Sequence, residues 1–406
     1  MDTSMEPART GSNAASPRQH QQWHCSLRRT PLERLPIELI QKIFFECLEV
    51  NLPRASLPIA LALSNEAIFT WLIRLAFSSN NESARTGFFT KLYLPFDYFS
   101  LTASERAVLQ TEILKCRWCS LPLMRKCQRE HVEHVLRQKC SRLIISPAGR
   151  RQLENLEPHW QSMDRFNARV AGSRGSGDLT VEAREPPPPQ PPKRANTTTS
   201  TTPASNPGAN ANGNVNASIS TINTTTTTAH SSHSDVRKIA IWFNFGSVQI
   251  RERSPIFQET DVFRLPSCAF REPCRMPDRL LCPPWTPEKL EFLTLLSTEA
   301  YIDDDHRHDR SKAVLRQVIV DRDLETFKHL VGMHIRVKIY GYPLLWPVRQ
   351  THYRVAARHA DSTDDDPFLN ILFTDRKAEV PSNDPSIRAL MARYEHHSRQ
   401  REMFGR

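Results

Sequence analysis

Between Cys116 and Cys140 the chain reads CRWCSLPLMRKCQREHVEHVLRQKC. Thiolate and imidazole are the ligands zinc prefers, usually four of them in a tetrahedron. Cys116 and Cys119 stand in C-x-x-C spacing, and Cys127, His131 and His134 follow at i, i+4 and i+7, so one helical face presents all three. Cys116, Cys119, Cys127 and His131 are therefore the candidate zinc set. The competing reading is that the thiols are small buried apolar groups and the histidines lie on the surface. It draws strength from the missing second, well-separated ligand pair. Lys115, Arg117, Arg125, Lys126, Arg129, Arg137, Lys139 and Arg142 surround the cluster. They suit either a solvated helix face or a zinc-stabilised, nucleic-acid-associated regulator. Only Trp118 interleaves with them, so nucleic acid is not an expected partner.

Other chemistry-bearing stretches are weaker. Cys268, Cys274 and Cys282 lie in a proline-rich passage without a fourth ligand and read as structural. YIDDDHRHD, residues 301 to 309, gathers Asp303, Asp304, Asp305, His306, His308 and Asp309. It lacks the glycine and terminal glutamate of a calcium loop and reads as a solvated loop. No G-x-S-x-G, H-E-x-x-H or kinase signature is present. Only 12 glycines occur in 406 residues, and none falls in a phosphate-binding loop pattern. No catalytic residue is assigned, and the chain is not expected to be an enzyme.

The elements that must position these residues fall into two blocks. Residues 1–29 are a polar tail, and residues 30–165 read as helical. Residues 166–235, rich in Pro, Thr, Asn and Ser, cannot bury enough apolar surface to order themselves and read as a disordered linker. Within it PPPPQPPKR forms a polyproline rod, with Pro188, Pro191 and Lys193 placed either as a spacer or as an SH3-type ligand. Residues 236–395 are a second, α+β block, and 396–406 a tail.

In the first block, Leu39, Ile40, Ile43, Phe44, Cys47 and Leu48 recur at helical spacing after Pro36. RASLPIALAL is a short second helix. A third is capped at Ser64 or Asn65 and aligns Ile68, Trp71, Leu72 and Leu75. Thr102 and Glu105 form a capping box. In the second block, Ile239, Ile241, Phe243 and Phe245 alternate ahead of Val248 and Ile250, predicting a β-hairpin turned at Gly246–Ser247. Thr286 and Pro287 start a helix, and Asp366 caps another after Pro367. Residues 311–331 and 351–373 share the outline of a helix pair, a degenerate two-unit repeat. The fold class is mostly α with a small β-hairpin.

The net charge is +10, with basic and acidic residues interspersed. There is no N-terminal apolar leader and no run long enough to span a membrane. The nine cysteines then read as reduced thiols in the cytoplasm, the nucleus or both.

TPLERLPIELIQKIFFECL, residues 30 to 48, carries a resemblance. Leu35, Pro36, Glu38, Leu39, Ile43, Phe44 and Leu48 are similar to the Leu-Pro and aliphatic helix of the F-box, over residues 33–77. The longer layout resembles F-box-like proteins of filamentous fungi. The usual Val-Ser-Lys-x-Trp turn of the family is missing, and Trp71 stands inside the third helix. The resemblance implies docking through Leu35, Pro36, Leu39, Ile43, Phe44 and Leu48 on the Skp-type linker subunit of a cullin complex. The C-terminal block would then present a protein substrate, and the linker would let the two blocks adjust their separation. The alternatives are an interaction scaffold in which these helices only pack internally, or the zinc-stabilised regulator above.

Overall fold

The computed structural model describes residues 30–87, 101–163, 178–186, 236–244, 246–265, 273–360 and 365–404. The polar tail, the proline rod, Phe245 and Cys268 lie outside these. Described residues form fourteen α-helices and two small sheets, so the chain is mostly α.

The N-terminal helices are α1 (Ile37–Cys47), α2 (Leu57–Leu63), α3 (Glu66–Phe77), α4 (Glu82–Arg85), α5 (Ala103–Lys115) and α6 (Leu121–Arg142). Local chemistry sets their starts. Asn65 accepts the Ala67 N–H at 2.9 Å ahead of α3. Thr102 and Glu105 exchange the reciprocal bonds of a capping box ahead of α5, at 3.2 and 2.8 Å. After α6 come β1 (Ile144–Ile145), α7 (Pro147–Glu154) and α8 (Glu157–Met163). Next are β2 (Leu179–Arg184), β3 (Val236–Asn244), β4 (Ser247–Arg253) and β5 (Gln258–Arg264).

The strands pair in chain order as one antiparallel meander, β1-β2-β3-β4-β5. The expected hairpin is its centre, with two corrections. Asn244 pairs with Ser247, so Ser247 belongs to β4 and not to the turn, and Gly246 ahead of it takes the left-handed φ of +77°. Strand β2 lies inside the stretch read as linker. Its Val181 and Ala183 are buried, an alternation of period two that the polar composition around it obscured.

The remaining elements are α9 (Pro287–Ser297), β6 (Tyr301–Asp303), α10 (Asp309–Val320), α11 (Leu324–Gly332), β7 (His334–Val337) and β8 (Leu344–Leu345). They end with α12 (Gln350–His359), α13 (Pro367–Thr374) and α14 (Pro385–Phe404). Helices α10/α11 and α12/α13 are the two expected helix pairs. Arg322, at φ 56° in the turn between α10 and α11, reaches Asp366 at 2.5 Å and lies 4.4 Å over the Phe368 ring. Phe327 meets Phe368 at 5.0 Å. Asp366 also caps α13 through the Phe368 and Leu369 N–H groups. Helix α14 runs past residue 395, into the stretch expected to be a tail. The loop at 301–309 is not wholly solvated. Asp303 and His308 are buried, and Asp303 accepts the Arg310 and Ser311 N–H groups at 2.9 and 3.0 Å. The Asp303 carboxylate thereby starts α10.

The two blocks are not separate bodies. One apolar core contains Ile113, Met124 and Cys127 together with Phe263, Leu293 and Leu315. Arg279 donates to the carbonyls of Leu114 and Cys119 at 2.7 and 2.5 Å, and Arg125 pairs with Glu291. A second core, under the sheet, packs Val132, Val135 and Leu136 of α6 against Val181, Ile239, Ile241 and Ile250. The expectation of two blocks adjusting their separation is corrected by this shared interior.

The central join is electrostatic. Lys139, 1% exposed on α6, reaches Glu252 at 3.1 Å, Asp261 at 3.0 Å and Glu259. Burial alone would lower the ammonium pKa, but the attraction of the three carboxylates outweighs it, and the net shift is upward. Asp261 is also held by the Ser83 hydroxyl at 2.9 Å and by Ser79 at 3.3 Å. Residues 78–83 thus lie along β5 and close its edge, with the Ser79 N–H donating to the Val262 carbonyl at 2.7 Å. Replacing Lys139 with Met leaves three carboxylates without their cation. The expected loss is about 3–5 kcal/mol of unfolding free energy, read by urea titration. A change under about 1 kcal/mol would show that water already neutralises the cluster.

Candidate partner-docking face

Helix α1 starts at Pro36, whose missing N–H would have no partner there in any case. Ahead of it Thr30 and Glu33 exchange backbone-to-side-chain bonds around a short 3-10 turn, Leu32–Arg34. The helix ends at Leu48, in the left-handed region at φ 49°, its N–H donating to the Phe44 carbonyl at 2.8 Å. Phe44, Phe45 and Ile40 are 2–3% exposed and form the inner side. The Phe44 and Phe45 rings meet edge-on at 5.6 Å, and Phe45 lies 5.2 Å from Trp71 of α3.

The other side of α1 carries an exposed apolar pair among charged residues: Leu39 and Ile43 are 46 and 39% exposed, with Lys42 and Glu46 beside them, and Ile37 in the first turn is 47% exposed. On α2, Leu57 and Leu61 are 71 and 69% exposed, while Ile59, Ala62 and Leu63 are buried. Gln41 donates to the Ala62 carbonyl at 3.0 Å and ties the two helices together. Two adjacent helices therefore each carry an exposed i, i+4 apolar pair, Leu39/Ile43 and Leu57/Leu61. Fully burying one such side chain against a partner yields roughly 1.5–3 kcal/mol.

Set against the six expected docking residues, Pro36, Leu39 and Ile43 are exposed. Leu35 and Leu48 are half-buried and pack on the core. Phe44 is a correction. It is core: residues 40, 44 and 45 are the buried side of α1, with Phe45 against Trp71 of α3. Ile37, Leu57 and Leu61 went unassigned in the sequence. The signal was present in LPIALAL, which has no polar side at all, so one side has to meet solvent or a partner.

The zinc set does not assemble. Among the described residues no group of three or more His, Cys, Asp and Glu side chains is placed to hold a metal. Cys116 caps α5, half-buried, its thiol 3.3 Å from the Glu112 carbonyl. Cys119 and Cys127 are fully buried core residues, and burial pushes each thiol up to about 12. The C-x-x-C is the tight turn between α5 and α6 that Arg279 clamps. His131 sits elsewhere, 1% exposed, with its ring 5.8 Å from that of Phe263. Neither of its nitrogens has a hydrogen-bond partner among the described residues.

No single helix is long and apolar enough to cross a membrane; the bent pair α2–α3 passes by composition, but α3 is mostly core. No family model, curated protein or solved structure matches this chain.

Burial, with Arg74 and His134 alongside, holds the His131 pKa well below the usual imidazole value. Burial likewise lowers that of His352 to about 4. The His352 Nδ1 accepts the Arg349 N–H at 2.8 Å and its Nε2 lies 3.1 Å from the Lys312 carbonyl, an arrangement that suits the neutral ring. The unfolded chain takes up the His352 proton near pH 6.5 and the folded one only near 4, and His131 is shifted in the same direction. Stability is then complete above about pH 6.5 and falls towards pH 4, by up to about 1.4 kcal/mol per pH unit for each such buried ring. Urea midpoints measured from pH 8 to 4.5 should show that fall. His352→Gln keeps an acceptor at this capping position and should make the fall shallower; an unchanged slope would remove His352 from the account.

Proposed function

We propose that this chain is an F-box-like adaptor. The exposed α1–α2 face docks on a Skp-type linker subunit and so on a cullin ubiquitin ligase complex, and the rest of the molecule presents a protein substrate. The observation that carries the reading is the division of α1 into a buried Ile40/Phe44/Phe45 side and an exposed Leu39/Ile43 pair, continued by Leu57 and Leu61 on α2. A helix that only packs internally has no use for the second side, whereas helix docking uses anchors at i and i+4. Leu35 and Pro36, which carry the resemblance, lie at the entrance to the same helix. The chain performs no chemistry in this reading. It raises the effective concentration of its substrate near the ligase.

Calorimetric titration of the full chain with the Skp-type linker of its own organism tests the proposal. Leu39→Asp/Ile43→Asp and Leu57→Asp/Leu61→Asp should each weaken binding by roughly 30-fold or more, as the loss of central apolar anchors does. Both should leave thermal unfolding almost unchanged, because the altered side chains are exposed. Phe44→Ala should instead cost about 3–5 kcal/mol of stability. A folded wild-type chain that shows no binding would overturn the adaptor reading.

A further inference from the structure

The meander packs one face on the helices, and its other face carries polar and basic residues of β3 and β4. Ile239, Ile241, Phe243, Val248 and Ile250 point inward. By the two-residue alternation of a strand, Lys238 and Trp242 of β3 and Gln249, Arg251 and Arg253 of β4 point outward. On the inner side, charge is neutralised: Arg237 meets Glu252 at 2.7 Å, and Lys139 meets three carboxylates. The outer side is neutralised at one end, where Arg264 of β5 pairs with Glu299, but not along β4. Arg251 and Arg253 have no carboxylate partner among the described residues. The nearest outward acid, Glu182, lies 3.7 Å from Lys238 in a pair exposed at both ends. Lys238 stands directly opposite Arg253 in the register. Like charges placed so repel, and an anion laid across them would relieve the repulsion.

The same face carries a flat platform. The Arg251 guanidinium lies 4.6 Å from the centre of the Trp242 ring, and its NH2 group donates to Gln249 Oε1 at 3.3 Å. Trp242 is 9% exposed. A guanidinium plane held on an indole is a surface on which a nucleobase stacks, and cations beside it take the phosphates. An acidic peptide would use the charge but has no use for the plane.

From this juxtaposition we infer that the outer face of the β2–β5 sheet binds single-stranded nucleic acid, with Arg251 on Trp242 as the stacking platform and Lys238 and Arg253 as phosphate contacts. The inference is independent of the α1–α2 docking face.

The test is fluorescence anisotropy of the full chain with a labelled mixed-sequence RNA strand of roughly 12 nucleotides, within the usual site range, at several salt concentrations. Binding should weaken with salt. Lys238→Gln/Arg253→Gln, which leaves the stacked pair intact, should weaken it by at least ~10-fold and flatten the salt dependence. Arg251→Lys keeps the charge and removes the plane, and should weaken it about 5- to 10-fold. Arg388→Gln/Arg393→Gln removes two exposed cations from α14 and should change affinity less than about 2-fold, as rim charges away from the site do. Three results would overturn the inference: no binding by the wild-type chain at low salt, equal losses in the α14 control, or displacement of the RNA by polyglutamate at matched charge. The last would make this an acidic-protein surface.

Discussion

A lysine ammonium with almost no contact with water holds the two halves of this chain together. Lys139 comes from the N-terminal helices, and Glu252, Glu259 and Asp261 come from strands more than a hundred residues later. Desolvating these charges is costly, and their attraction is recovered only if all of them arrive in register. Asp261 also anchors Ser79 and Ser83, so the segment after α3 is fixed to the sheet edge by the same cluster. The consequence reaches the docking face. Helix α3 supports Phe45 through Trp71, and its far end is tied into that edge, so α1 is seated on a braced interior. An exposed apolar pair on a rigid support loses little freedom on binding, which is what allows a small surface to hold a partner.

Much of this was legible in the residues, where local rules decide the outcome. Thr102 with Glu105, Thr286 with Pro287, and Asp366 with Pro367 each mark a helix start that the structure contains. The alternation at Ile239, Ile241 and Phe243 marked strands for the same reason. What was not legible depended on distant pairing. Strand β2 has six residues in a polar region, and its partners, Ile144–Ile145 on one edge and Val236 to Ile241 on the other, make it a strand. Lys139 read as one more solvated cation, because nothing near it in sequence foretells three carboxylates 113 to 122 residues away. The cysteine and histidine cluster misled in the opposite direction. Spacing placed Cys127 and His131 on one helix, but tertiary packing turned the thiol into the core and the imidazole towards Phe263.

The candidate docking site was legible in part. Pro36, Leu39 and Ile43 were found by their pattern and are exposed; Phe44 shares the pattern but belongs to the core. Periodicity alone cannot tell the inward stripe of a helix from an outward one when both are apolar. The basic sheet face could not be seen either, because Arg251 and Arg253 come together with Lys238 and Trp242 only through the strand register. The molecule therefore offers two surfaces of opposite chemistry on one body: an apolar helical face suited to a protein, and a cationic sheet face suited to an anion. The two surfaces sit on the two cores that the Lys139 cluster joins.

The most direct measurement of the central claim is amide hydrogen exchange of the full chain with and without saturating Skp-type linker. Slower exchange is expected at residues 35–48 and 56–63 alone, where the exposed pairs lie, with the sheet unchanged. Exchange unchanged at α1 and α2 in a complex that demonstrably forms, with protection appearing elsewhere, would contradict that claim.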